Sequence, residues 1–333
     1  MRIYNSRHLR YHSLLHAYPI KDLNDIPTDI ELSDQIQLHP DKATTLECTF
    51  GRIPNDGSCL NLIVDEPLPI VQLHGAERFR SREVVLFLRK FEVEVYPRGA
   101  KIGCGWMQET QPIWCKLVPE GEAAIFETLQ SHDPASHRVA MLAIEPFLLP
   151  TGDYLITMPY YGQDLCELMR PSSRSVLAGP VILKLARQLC TAIAFLHSHN
   201  MYHLDIKPEN IALNIRKGYQ LTVIDLGSVV IGRRPCTVEG ALGTYEHAPP
   251  EVRKWFEWEN KREELEKPRR YDPAKADAWA VANVIDIILD SVLADENLDV
   301  NHLDALDDFV VWMKEKRHTM EAALRRLSTG CIQ

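Results

Sequence analysis

Between His203 and Gly227 the chain reads HLDIKPENIALNIRKGYQLTVIDLG, and this stretch limits what the chain can build more than any other. Pro208 lacks a backbone N–H and clashes with a preceding helical turn, so it keeps Asp205, Lys207 and Asn210 on a loop. The apolar runs IALNI and LTVID predict two short strands that turn at Arg216, Lys217 and Gly218. The second strand delivers Asp225 at its end, and Gly227 permits a sharp backbone exit. Two carboxylates, an amide and an ammonium gathered in this way suit Mg2+ and a polyphosphate held around a nucleophile.

The same letters resemble the catalytic loop and metal-binding segment of the eukaryotic protein kinases. His203-Leu204-Asp205 stands for HRD, Asp225-Leu226-Gly227 for DFG, and Lys207-Pro208-Glu209-Asn210 matches the serine/threonine version. Gly243 to Glu251, GTYEHAPPE, resembles the G-T-x-x-Y-x-A-P-E end of the activation segment, with His247 and Pro249 as departures. Asp277 and Trp279 fit the D-x-W of the central helix, whose aspartate tethers the catalytic loop in that family. Arg317 falls where the family pairs an arginine with the APE glutamate, here Glu251. The resemblance runs from about Val84 to Leu327. It implies an α+β, two-lobed kinase-like fold over residues 84–333, with a β-rich small lobe at 84–161 and a mainly helical large lobe at 162–333. Residues 1–83 are then an N-terminal extension, partly β or irregular, in which TTLECTF and LNLIV are strand candidates.

Composition narrows the class. The chain has 333 residues, 45% hydrophobic and 25% charged, with a net charge of −9. It lacks the basic footprint of a nucleic-acid binder, and neither a spanning apolar run nor a secretory leader is read from it. The expectation is therefore no nucleic-acid or membrane partner. Eight cysteines without pairing rhythm read as reduced thiols of an intracellular protein, cytoplasmic or nuclear. The first 21 residues carry Arg2, Arg7, Arg10 and Lys21 and no acid, so a mitochondrial presequence is the minority reading. His8, His12 and His16 would align on a helix, but with no carboxylate or cysteine nearby a solvated face outweighs a metal site.

Along the small lobe, VVLFL (Val84 to Leu88) and EVEVY (Glu92 to Tyr96) are strand candidates, followed by the strand Pro112 to Leu117. Lys116 in IWCK occupies the family's V-A-I-K place and is the candidate phosphate-binding lysine. Its partner is Glu122 on the next predicted helix, with Glu127 the alternative. The phosphate-covering G-x-G-x-x-G-x-V pattern is absent; Gly99, Gly103 and Gly105 are the glycines available for a divergent loop. Met158 takes the gatekeeper place, with Tyr160 and Tyr161 beside the adenine.

In the large lobe, Ile182, Leu185, Leu189, Ile193 and Leu196 form one apolar stripe of a helix begun at Pro180. Residues 253–270 read as an exposed helical insertion headed by Trp255, Phe256 and Trp258. Leu204 replaces the arginine that receives a phosphorylated activation loop, which predicts little dependence on loop phosphorylation, Thr237 included. Only 40 residues separate Asp277 from Arg317, so the peptide-docking helix is expected to be reduced or missing.

The resemblance implies a serine/threonine protein kinase acting with ATP and Mg2+ on a protein substrate. Asp205 would orient the hydroxyl and accept its proton, and Lys207 would neutralise the γ-phosphate. Asn210 and Asp225 would hold Mg2+, while Lys116, steadied by Glu122, would hold the α- and β-phosphates. The alternatives are a pseudokinase that binds nucleotide or scaffolds, favoured by the degenerate glycine loop, and a small-molecule kinase.

Overall fold

A computed structural model describes residues 82–97, 101–170, 177, 179–293 and 303–328. All of them lie in one compact unit, residues 73–333. The strand candidates before residue 82, the histidines at 8, 12 and 16, and Gly99 lie outside the described residues.

The small lobe is an antiparallel sheet of β1 (Val93–Pro97), β2 (Ile102–Met107), β3 (Gln111–Val118), β4 (Ile144–Leu148) and β5 (Tyr154–Pro159), in the order β1-β2-β3-β5-β4. β3 alternates, burying Ile113, Cys115 and Leu117, and is paired on both edges. Such a centre strand fixes the direction of every side chain along it, because a slip of one residue would turn the apolar set outward.

The sequence expectation of a strand at VVLFL is corrected: Arg82–Lys90 is a helix, α1. Val84 and Leu88, four apart, are buried, while Leu86 between them is 54% exposed. A strand would have put all three on one face. Phe87 stacks on Phe147 of β4 with ring centroids 4.3 Å apart and meets Phe91 at 5.1 Å, so helical spacing lets aromatic packing cover the sheet. The helix crosses residues 83 and 84, where the sequence suggested a boundary. The next helix, α2 (Glu120–Gln130), buries Glu122, Ala123, Ile125, Phe126 and Leu129 on one side.

The large lobe is helical. β6 (Gln163–Asp164) leads into the single turn α3 (Leu165–Leu168), where Asp164 caps the turn through the Glu167 N–H at 2.8 Å. α4 (Gly179–Ser198) buries Ile182, Leu185, Leu189, Ile193 and Leu196, the stripe expected from spacing. By length and composition α4 is apolar enough to cross a bilayer, although no such run was expected; its stripe instead packs in the large-lobe core. α6 (Pro273–Leu293), α7 (Asp304–Lys316) and α8 (Met320–Ser328) complete the bundle, with α5 (Pro250–Asn260) before them. Among the described residues no helix lies between α6 and α7, which only residues 294–303 separate.

The helix expected over residues 253–270 reaches only Asn260. Beyond it the chain returns as a loop because two anchors hold it. The buried Trp255 indole donates to the Arg269 carbonyl at 3.2 Å, and Tyr271 exchanges backbone hydrogen bonds with Val238. Trp255, Val238, Ala248, Val252, Tyr271 and Ala276 form a separate apolar cluster, and Leu204, Leu242 and Phe256 pack against it.

Candidate active site

Secondary structure around the site is short, and side chains hold what the backbone leaves loose. β7 (Met201–Tyr202), β8 (Ile211–Asn214), β9 (Gln220–Val223) and β10 (Val230–Ile231) frame a loop from His203 to Lys207 and a single 3-10 turn at Pro208–Asn210. Pro208 begins that turn, so the proline shortens the helix rather than excluding it. Asp277 of α6 is fully buried and fixes the loop. Its two oxygens accept the His203 and Leu204 N–H groups, each at 2.8 Å, and its Oδ2 lies 2.9 Å from His197 Nε2. Leu204 adopts a left-handed φ of 59°, a conformation unfavourable for a branched side chain, and those bonds hold it there.

The sequence-predicted residues meet directly beyond that anchor. Asp205 Oδ1 accepts the Thr244 hydroxyl at 2.8 Å, and its Oδ2 lies 3.0 Å from Lys207 Nζ and 3.0 Å from Asn210 Nδ2. Lys207 Nζ also donates to Thr244 Oγ1 at 2.7 Å, closing a ring of carboxylate, ammonium and hydroxyl. Gly243 makes the approach possible: it has φ +84°, and a Cβ there would stand 2.2 Å from the Leu204 carbonyl oxygen. Thr244 comes from a segment 39 residues beyond Asp205 in sequence, so the network ties two distant loops.

Asp225 follows β9 with φ 60°, facing the small lobe. Its Oδ1 accepts from Lys116 Nζ at 2.8 Å and from the Gly227 N–H at 3.2 Å. Lys116 Nζ lies 2.7 Å from Glu122 Oε1, so one ammonium joins β3, α2 and the 225–227 segment. Glu127, the alternative partner, is exposed on the far side of α2. Burial works against the charge on Asp225, but the Lys116 ammonium, the Gly227 N–H and His203 outweigh it and hold the carboxyl below its ordinary 3.8. Burial pushes the Glu122 carboxyl above its ordinary 4.5 despite Lys116. Burial opposes the Lys116 charge too, yet Asp225 and Glu122 lift its pKa above 10.5.

A carboxyl depressed in the fold contributes stability above its unfolded pKa and loses it as pH falls through the folded value. For Asp225 that window lies below about pH 4. Lys116→Met is expected to raise the Asp225 titration to its ordinary value or above, since burial would then act without the ammonium. Carboxyl carbon NMR reads it; an unmoved midpoint would show that the ammonium does not control this carboxyl.

Comparison with known proteins decides the family. The model described as the protein kinase domain matches residues 122–328, more than half of the 333 residues. The chain belongs to the protein kinase family. It is similar to CBL-interacting protein kinase 30 of Oryza sativa subsp. japonica, 34% identical over 125 residues, covering 37% of this chain and 24% of that protein. It is similar also to serine/threonine-protein kinase VHS1 of Saccharomyces cerevisiae, 27% identical over 126 residues, covering 38% of this chain and 27% of that protein. A third relative is serine/threonine-protein kinase pim-2 of Danio rerio, 30% identical over 152 residues, covering 41% of this chain and 46% of that protein. The chain spans less than half the length of each of these relatives.

The kinase match begins at Glu122, so β1 to β3 and Lys116 precede it, and the fold alone joins that lysine to the site. Met158 is buried at the end of β5, and Tyr160 and Tyr161 follow, where the sequence predicted the segment beside the adenine. The Tyr160 N–H is engaged by the Pro112 carbonyl at 2.9 Å. The Tyr161 phenol, a role the sequence did not suggest, is pinned to the Met141 backbone, taking its N–H at 2.8 Å and donating to its carbonyl at 3.1 Å. Gly103 and Gly105 are not in the turn that a phosphate-covering loop would form. Both lie inside β2, paired with Cys115 and Ile113 of β3. Behind the site, Arg317 pairs with Glu251 as the kinase resemblance implied.

The polar atoms present fit a hard cation. Asn210 uses its Nδ2 hydrogens on the Asp205 backbone carbonyl and carboxylate, which leaves Oδ1 as a ligand, and Asp225 uses only Oδ1 internally. An amide oxygen and a carboxylate oxygen are the donors Mg2+ accepts, alongside waters and substrate phosphates. Among the described residues no cluster of three His, Cys, Asp or Glu offers a competing metal site.

Proposed function

We propose that the chain transfers phosphoryl groups from ATP, with Mg2+, to serine or threonine hydroxyls of protein substrates. The observation that carries this reading is the ring of Asp205, Lys207 and Thr244 beside the Lys116–Glu122–Asp225 bridge. Transfer of this kind rests on positioning and charge neutralisation more than on covalent chemistry, and both sets of side chains are held in place by two or more partners. Asp205 orients the substrate hydroxyl and takes its proton. Lys207 meets the charge developing on the transferred group, and Lys116, steadied by Glu122, holds the inner phosphates. Asn210 and Asp225 hold Mg2+, which would neutralise phosphate charge. Met158, Tyr160 and Tyr161 flank the adenine.

One observation favours a second reading, a nucleotide-binding or scaffolding module: Gly103 and Gly105 are ladder residues rather than a phosphate cover. The separation of only 40 residues between Asp277 and Arg317, short for a peptide-docking helix, lends weaker support to a small-molecule substrate. Label transfer from ATP to a generic basic protein, comparing wild type with Asp225→Ala, separates them. Transfer by wild type and its loss in the variant is the expected result. A thermal shift from Mg-ATP without transfer would favour the module, and neither signal would sink the kinase reading.

A further inference from the structure

The two faces of β3 have different surroundings. Ile113, Cys115 and Leu117 enter the apolar cluster that Val84 and Leu88 of α1 complete. Successive side chains of a strand alternate, so Trp114 and Lys116 point the other way, toward the cleft where Lys116 meets Asp225. Two residues of strand span about 7 Å. Trp114 therefore stands about one such step from the phosphate-binding lysine, on the side of Met158 and Tyr160.

Register sets the neighbours of the indole. Trp114 lies opposite Met158 of β5 on one edge and opposite Cys104 of β2 on the other. Directly opposed side chains of an antiparallel pair share a face, with Cβ atoms about 4.5–5.5 Å apart. The indole is half-buried, packs against the core cluster that includes Met158, and has its ring centroid 6.2 Å from that of Tyr160.

Met158 and Tyr160 are the side chains set to flank the adenine. A purine, like an indole, is a flat system of two fused rings. Two such systems that lean on the same pair of side chains, from the same face of one strand, compete for one seat. The sequence carries the cause: IWCK sets an indole where V-A-I-K sets a methyl group.

We propose that Trp114 competes with the nucleobase for its seat, so that ATP is seated in full only when the indole has swung aside. The inference rests on the phosphoryl-transfer reading and adds a control to that same site. An affinity that requires a partly populated open state is reduced by the fraction that is open. Burial and ring packing of the indole favour the closed arrangement by about tenfold or more. The polyphosphate, met by Lys116 and by Mg2+ at Asn210 and Asp225, needs no such opening. The donor is then selected by its phosphates first and by its base second.

The test is calorimetric titration of the full chain with Mg-ATP and with magnesium tripolyphosphate, which has no base. Wild type is compared with Trp114→Ala and Trp114→Val; valine keeps a strand-favouring side chain should alanine loosen β3. Both variants are expected to bind Mg-ATP about tenfold or more tighter than wild type, with tripolyphosphate affinity within about twofold throughout. Partial unfolding would weaken both ligands, so it cannot mimic this gain. Tripolyphosphate bound alike by all three proteins, with ATP bound no tighter by the variants, would overturn the inference and leave the phosphoryl-transfer reading standing. Equal tightening of both ligands would place the effect at the phosphates and overturn it too. No binding of either ligand to any of the three would sink the phosphoryl-transfer reading, and the inference with it.

Discussion

Replacing Asp205 with asparagine is expected to lower phosphoryl transfer by about 10²- to 10⁴-fold, the span general acid–base groups supply, while the protein still folds. The substitution keeps the shape and one acceptor oxygen, so the Thr244 hydroxyl can still be received. It removes the group able to take a proton from the substrate and the negative charge facing Lys207, now 3.0 Å away. The rate with labelled ATP should collapse while the melting temperature moves by a few degrees at most. Activity within a few-fold of wild type would mean that another base serves and that the ring around Asp205 is only structural.

The largest effect on stability is expected at Asp277, which touches no reacting group. Its carboxylate accepts two backbone N–H groups and the His197 ring from full burial. Asp277→Ala would leave three donors without an acceptor, in a place water does not reach. Removing one partner from a buried, hydrogen-bonded charge costs about 3–5 kcal/mol, a fall in Tm of roughly 6–20 °C at 2–4 °C per kcal/mol for a domain of this size. Urea unfolding should report it. Loss of less than about 1 kcal/mol, the size of one ordinary hydrogen bond, would show that the loop holds its own conformation. Activity should fall with stability, because the left-handed Leu204 beside Asp205 depends on these bonds.

Much of this site was legible because its chemistry is polar and its spacing local. Asp205, Lys207 and Asn210 lie within six residues of one another, so their spacing alone places them on one loop. Lys116 and Glu122 could be paired by position because β3 ends at Val118 and α2 starts at Glu120, so little chain lies between them. Other elements depended on packing that no local pattern encodes. VVLFL is five apolar residues, too short to separate the two periods, and the ring of Phe147, sixty residues on, settles it as a helix. The helix from Pro250 stops at Asn260 because Trp255 and Tyr271 bind backbone groups far from it in sequence, although the charged stretch beyond has ordinary helix formers. Gly103 and Gly105 could be counted in the sequence, but only strand register shows that both are in the ladder.

The apolar cluster around Trp255 gives the segment before Thr244 an unusual set of sensitivities. Leu204, Val238, Leu242 and Ala248 meet there through hydrocarbon contact, where an arginine would have required a phosphate to answer it. Contact of that kind is blind to phosphatases and little altered by salt, but it loosens on cooling and in urea. Temperature and denaturant, rather than an upstream enzyme acting at this spot, are then the levers that unfasten the segment over Asp205. A cold-induced loss of activity that precedes any loss of helix would be its signature.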